Sequence, residues 1–142
     1  MQQRQNWSEI TNVIRAAFPD TEAIYRFGSW GTDAERIDSD LDIALLLPWQ
    51  QAKDIALWDW ATLNGEVAAS ADTDRVDLIN LREADVLFQF EILRTGEVIY
   101  CADQAARLNF EVLTISKYEE LNRWRRDFED AALSGELYSA KS

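Results

Sequence analysis

The chain has 142 residues, of which 47% are hydrophobic, so it is long and apolar enough for one domain with a packed core. Its formal net charge of −12 argues against wrapping a nucleic-acid backbone, since that affinity comes from Lys and Arg, and we expect no direct nucleic-acid binding. The chain contains no His, which excludes a Ser-His-Asp triad, a Cys-His pair and the common His-containing zinc sites.

Hydrophobic periodicity predicts elements in the order α-β-β-α-β-α-β-α. The first helix, residues 7–18, repeats apolar side chains at helical spacing and is followed by Pro19, which closes it. The second strand, residues 41–47, is a continuous apolar run that ends before Pro48. The other predicted strands are 23–27, 75–81 and 98–101, and the other predicted helices are 50–69, 83–95 and about 103–137.

This order predicts an α+β protein, in which a small mixed β-sheet has helices packed on it. We expect one domain over residues 1–142, with an α/β part at about 1–101 and a helical C-terminal part at about 103–138. Within that helical part, the residues expected to pack are Phe110, Leu113, Tyr118, Leu121, Trp124 and Phe128.

One cysteine, Cys101, excludes an internal disulfide and is typical of a reducing compartment. No stretch approaches the roughly 20 apolar residues that cross a bilayer, and the first residues carry no apolar signal core. We therefore expect a cytoplasmic protein that does not bind a membrane.

Two aspartates open the second predicted strand. Residues two apart in a strand share a face, so Asp40 and Asp42 project together while Leu41 and Ile43 face the other way. Side-by-side carboxylates repel each other, and a structure that keeps such a pair generally supplies a cation, for which Mg²⁺ or Mn²⁺ suits the oxygen ligands. Asp77, inside a later apolar strand, is the candidate third ligand. Taken singly, each aspartate also fits a turn, a cap or a charged strand edge.

A Gly-Ser turn precedes this pair by ten residues. Gly28 has no side chain, so a phosphate can approach the backbone there, and Ser29 offers a hydroxyl and an amide to phosphate oxygens. The further candidates for nucleotide contact are Arg26, Arg36 and Ser39, although a surface arginine is commonly only solvated.

With these residues in place, the stretch from Phe27 to Leu47 resembles the minimal nucleotidyltransferases of the DNA polymerase β-like superfamily. Their signature is Gly-Ser, a spacer of about ten residues, Asp-x-Asp and a later Asp, which Gly28, Ser29, Asp40, Asp42 and Asp77 match. The resemblance implies the nucleotidyltransferase (polymerase β-like) fold. One departure is the loop after Ser29, where Trp30 replaces a basic residue and Asp33 and Glu35 add negative charge.

Within that superfamily the chain looks like the MntA-type antitoxins of HEPN/MNT toxin–antitoxin pairs. This resemblance implies an Mg²⁺-dependent protein adenylyltransferase that takes AMP from ATP and attaches one or more AMP units to a tyrosine of a cognate HEPN-domain RNase toxin. It implies that Asp40 and Asp42 bind both metal ions, and that Asp77 binds the ion at the attacking oxygen.

Two alternatives stay open on the sequence. In the first, the chain is an antitoxin that acts by direct binding, through its acidic surface and the aromatic residues of the last helix. In the second, the same chemistry serves another acceptor, because similar folds nucleotidylate small molecules or RNA ends. The acidic balance disfavours RNA, and 142 residues leave little room for a pocket that holds a small molecule.

Overall fold

The computed structural model describes residues 2–28 and 40–135. Its described part holds a four-stranded sheet with helices on both faces, as the α+β prediction requires. The strands are β1 (Ala23–Phe27), β2 (Leu41–Leu46), β3 (Val76–Asn80) and β4 (Glu97–Cys101). The helices are α1 (Gln2–Ala17), α2 (Trp49–Asp54), α3 (Leu57–Ala71), α4 (Val86–Thr95) and α5 (Gln104–Leu133), with a 3-10 turn at Leu81–Glu83.

The sheet is mixed, in the order β3-β2-β1-β4. β1 pairs antiparallel with both β2 and β4, whereas β2 and β3 run parallel. A parallel pair needs a long crossover connection, which α2 and α3 provide. The crossover places the beginnings of β2 and β3 side by side at one end of the sheet.

Each face of the sheet has its own apolar cluster. Ile43 and Leu45 of β2 point to the face covered by α1 and α3, while Ala44 and Leu46 point to the face covered by α4 and α5. Both faces of β2 are therefore covered, which explains its nearly continuous apolar sequence. The helices that cover the second face begin at side-chain caps, since Asp85 accepts from Phe88 N and Asp103 accepts from Ala106 N, each at 2.9 Å.

The prediction of one helix over residues 50–69 was wrong. Ile55 and Ala56 are extended, with ψ of 126° and 139°, and they separate α2 from α3. The Asn80 side chain donates to the Ala52 carbonyl at 2.8 Å, so an oxygen that a continuous helix would use for Ala56 N is bonded to β3 instead. A contact between residues 28 positions apart is not visible in a local pattern.

The prediction that six residues of the last helix pack against the domain was correct only in its first half. Phe110 and Thr114 are buried, but Leu113, Leu121, Trp124 and Phe128 are 41–64% exposed. Tyr118 is half-buried and stacks on Phe90 of α4, with ring centroids 3.7 Å apart. In the described part of the chain, no helix is long and apolar enough to cross a membrane.

Candidate active site

The carboxylates predicted from the sequence lie where β2 and β3 begin. In the parallel register, Asp42 lies opposite Asp77, and Leu41 lies opposite Val76. Asp42 is half-buried, Asp77 is exposed, and Asp40 immediately precedes β2 and is also exposed. The structure thus brings together Asp42 and Asp77, which are 35 residues apart in the sequence.

The closeness of these carboxylates changes the titration of Asp42. Its pKa is raised from 3.8 to about 6, first because burial disfavours the charged form and then because Asp77 and Asp40 carry the same charge. A positive charge bound beside Asp42 would stabilise its charged form against both burial and the repulsion from Asp77 and Asp40. Carboxylate oxygens are the ligands that Mg²⁺ and Mn²⁺ prefer. The chemistry of these donors therefore suits a divalent cation.

Asp40 is turned toward a cation of the chain itself. Arg75 Nη1 lies 4.0 Å from Asp40 Oδ1, and both side chains are more than half exposed. The Arg75 carbonyl accepts from Leu41 N at 2.7 Å. This bond extends the pairing of β2 and β3 by one residue and keeps Arg75 beside the start of β2, next to Asp40. Within residues 2–28 and 40–135, no three Cys, Asp or Glu side chains form a group arranged to hold a metal ion.

Gly28 closes the site from the end of β1. Phe27 pairs with Asp42, and the chain then turns at Gly28 with φ of +77°, in the left-handed region that favours glycine. A Cβ atom at this position would overlap Asp42 Oδ2 and lie 3.2 Å from Cγ. The turn therefore needs glycine both for its backbone angle and for the close approach of the backbone to the carboxylate.

The structure does not place the other predicted site residues among the carboxylates. Arg26 binds Glu97 of the neighbouring strand at 2.7 Å, and its side chain is only 18% exposed, so its guanidinium is engaged in the sheet. Ser29, Arg36 and Ser39 lie outside the described residues, as do Trp30, Asp33 and Glu35 of the loop. Sequence reasoning missed Arg75, whose only signal was a basic residue directly before the strand that carries Asp77.

A mixed sheet that presents neighbouring aspartates beside a glycine turn, with helices on both faces, is the architecture of a nucleotidyltransferase. The family model described as "Polymerase beta, Nucleotidyltransferase" matches residues 8–105. The chain belongs to this family, as the Gly-Ser and Asp-x-Asp spacing predicted.

More particular relatives extend the match to nearly the whole chain. The chain is 31% identical over 132 residues to the protein adenylyltransferase MntA of Shewanella oneidensis, covering 93% of this chain and 91% of that protein. It is also similar to a solved toxin–antitoxin structure with AMP-PNP, with a TM-score of 0.73, 30% identity and coverage of 90% of this chain and 98% of that one.

A further solved structure contains a tri-AMPylated HEPN toxin of Shewanella oneidensis in complex with an MNT antitoxin. It matches with a TM-score of 0.69 and 29% identity, covering 92% of this chain and 98% of that one. The resemblance stated from the sequence is therefore confirmed both for the fold and for the kind of relative.

Proposed function

We propose that this chain is an antitoxin that transfers AMP from ATP to a tyrosine of a cognate HEPN ribonuclease and thereby neutralises it. The observation that carries the proposal is the identity of 31% to a protein adenylyltransferase across 93% of this chain, including the strands that bear the aspartates. The AMP-PNP in one similar structure and the AMPylated toxin in another support ATP as the donor and a protein as the acceptor.

The reaction joins the tyrosine oxygen to the α-phosphorus of ATP. The bond between that phosphorus and the β-phosphate oxygen breaks, pyrophosphate leaves, and the hydroxyl proton is lost. A bound divalent cation, which we propose to be Mg²⁺, would neutralise phosphate charge and acidify the hydroxyl, whose ordinary pKa is about 10. Asp42 and Asp77 would hold it together with Asp40.

The residues of the chain then act mainly by position and charge. The Gly28 turn leaves room for a phosphate close to the backbone, and Ser29 is the proposed phosphate contact beside it. Arg36 and Ser39 remain proposed nucleotide contacts on the sequence alone. Arg75 gives the edge of the carboxylate cluster a cation that can face phosphate oxygens. A cytoplasmic location remains a prediction.

The test is the intact mass of the HEPN protein after incubation with this chain, ATP and Mg²⁺. We expect an increase by whole AMP units that Asp42→Ala abolishes, with Asp59→Ala, an exposed change in α3, as the matched control. An unchanged mass in the presence of a stable complex would replace this proposal with neutralisation by binding alone.

A further inference from the structure

Helix α5 is longer than the surface on which it packs. It spans 30 residues, which corresponds to about 45 Å at the usual rise per residue. Its first half is anchored through buried Phe110 and Thr114, whereas Trp124 and Phe128 in its second half are 64% and 51% exposed. Single exposed apolar residues are ordinary, but a row of them on one helix indicates a contact surface.

The exposed row lies on the same side of α5 as the core contacts. Leu121, Trp124 and Phe128, which we call the distal stripe, follow Phe110 and Thr114 at intervals of three, four and seven residues. The rings of Trp124 and Phe128 stack with centroids 5.7 Å apart. The side of the helix that is buried against the domain therefore continues beyond it as an apolar surface.

A groove runs between the distal stripe and α4. Leu87, which is 53% exposed, forms one wall of a cavity of about 170 Å³, and Tyr118, Leu121 and Trp124 form the other. A cavity of this size accommodates one or two apolar side chains. The groove therefore has the shape of a surface that binds apolar side chains of another protein, as in helix-in-groove recognition.

The two borders of the stripe differ in charge. Arg125 lines the cavity and gives the border toward α4 a basic side chain, whereas the next cavity along α4 has a mixed lining of Glu119, Arg123 and Arg126. Glu120 and Asp127 lie four and three residues from Trp124, on the opposite border. The surface is complementary to an apolar face with a carboxylate opposite Arg125 and basic groups along the other margin, which favours one orientation of the partner.

The placement of the stripe favours the acceptor protein as the occupant. Asp42 shares its side of β2 with Ala44 and Leu46, which lie in the cluster beneath α4 and α5. The carboxylates and the helices that form the groove are therefore on the same face of the sheet, with the carboxylates where β3 begins and Leu87 shortly after β3 ends, so the docked protein must span that length. Self-association is disfavoured, because two copies would each bring a net charge of −12 to the contact.

We propose that the distal stripe and Leu87 form the docking surface for the protein that accepts AMP. The inference rests on the proposed function, in that the docked protein is the HEPN ribonuclease whose tyrosine must reach the carboxylates. Docking at a place other than the reacting atoms would hold the tyrosine near the nucleotide and raise its effective concentration.

The test compares Trp124→Ala/Phe128→Ala with Trp58→Ala, which removes an 80% exposed tryptophan from α3 on the opposite side of the sheet. For each variant, the Kd for the HEPN protein and the rate of AMP incorporation against HEPN concentration are measured. We expect the double variant to raise both Kd and KM by about 30-fold or more, the scale of an interface hot spot. Its kcat, its affinity for Mg-ATP and its unfolding midpoint stay unchanged.

A second variant, on another helix, distinguishes a loss of docking from misfolding of the double variant. Leu87→Glu adds charge to the α4 wall of the groove and is expected to weaken binding as well. An unchanged Kd in both groove variants would overturn the proposal, as would an equal loss in Trp58→Ala. A wild-type dimer that the double variant converts to monomer would assign the stripe to a second copy and also overturn it.

Failure of the proposed function has a different signature. If the wild-type chain binds the HEPN protein without transferring AMP, adenylylation is wrong, and the Kd values alone decide the docking surface. If AMP is transferred at the same KM by every variant, the enzyme is confirmed and the docking surface is wrong.

Discussion

Asp42 is the residue at which the stability of this protein and its proposed chemistry conflict. Its carboxyl is half-buried against Gly28 and faces two further carboxylates, which is why its pKa is raised to about 6. A side chain selected for stability alone would not be charged here. The loss of stability caused by this charged carboxylate is explained if a cation and a nucleotide occupy the position during the reaction.

We expect Asp42→Asn to separate the two properties. Transfer of AMP should fall by at least about 100-fold, because a proposed metal ligand is lost. Without divalent cation near neutral pH, the melting temperature should rise by about 3 °C, after discounting for the solvent exposure of the carboxyl. Calorimetry and an AMP-incorporation assay measure the two effects, and a melting temperature that falls instead would contradict the account of repulsion.

The same carboxyl predicts how stability depends on pH. Since the pKa of Asp42 is higher in the folded state than its ordinary 3.8, its contribution to stability is fully present below that value and is lost as pH rises through about 6. The free energy of unfolding of the wild type, relative to Asp42→Asn, should therefore fall between about pH 4 and pH 7. Urea titrations across this range measure it.

Divalent cation should reverse this loss, and more strongly at about pH 7 than at about pH 5, where the proton competes for the carboxylate. An equal protection by Mg²⁺ at both values would show that the cation binds elsewhere.

Gly28→Ala should damage the site through the backbone. The left-handed φ of +77° strains any other residue, and the added methyl group would collide with the Asp42 carboxylate. We expect a loss of about 1–3 kcal/mol in the free energy of unfolding, together with a large loss of activity. Gly65→Ala is the matched control, since its methyl group meets nothing within 4 Å and should stabilise α3 by about 0.5–1 kcal/mol.

At the scale of elements, one buried tyrosine connects α5 to the sheet. Tyr25 of β1 donates to Glu111 at 2.8 Å, and Arg107 donates to the same carboxylate oxygen at 2.9 Å. Burial and the nearby Glu111 raise the pKa of Tyr25 above its ordinary value, so its hydroxyl keeps its proton. This bond joins α5 to the middle of the sheet, just before the helix reaches its exposed half.

Tyr25→Phe should therefore loosen α5 without leaving a cavity. We expect a loss of about 1–2 kcal/mol in the free energy of unfolding, because a hydrogen bond to a charged group is removed. Hydrogen exchange in residues 104–118 should increase. Tyr100→Phe in β4, which keeps the ring beneath Arg15, should change stability less, and equal losses in the two variants would argue against a special role for the bond to Glu111.

The sequence predicts these elements well wherever a local pattern determines them. The apolar run of β2, its end before Pro48 and the end of α1 before Pro19 all lie within a few residues of the feature that they define. The break between α2 and α3 depends on Asn80, which is distant in sequence, and so it was missed. The exposure of the distal stripe was missed because helical periodicity cannot distinguish a side chain buried in the core from an apolar side chain left exposed on the same side of the helix.

For the site, the spacing from Gly28 to Asp42 predicted that the glycine turn and the aspartate lie together, as they do in the structure. Asp42 lies opposite Asp77 because β2 and β3 pair in parallel register. The contact of Arg75 with Asp40 could not be predicted, because it depends on which strand lies beside β2. The roles of Ser29, Arg36 and Ser39 remain predictions.

For the whole molecule, the charge of −12 limits what can bind to it. An acidic surface repels a phosphate backbone, so we expect no measurable affinity for single-stranded or duplex RNA at physiological salt. Fluorescence anisotropy with labelled RNA measures this, with the HEPN ribonuclease as the positive control. Binding that weakens steeply with added salt would contradict it and reopen RNA as an acceptor.

The parallel pairing of β2 with β3 also has a consequence for how activity appears during synthesis. Asp42 and Asp77 meet only across a non-local contact, after the crossover through α2 and α3 has closed. A nascent chain whose β3 has not yet emerged from the ribosome, or a chain cut within the crossover, would have no paired carboxylates. Catalytic competence would therefore arise in one step late in folding, and a partly made or partly degraded copy would give no protection.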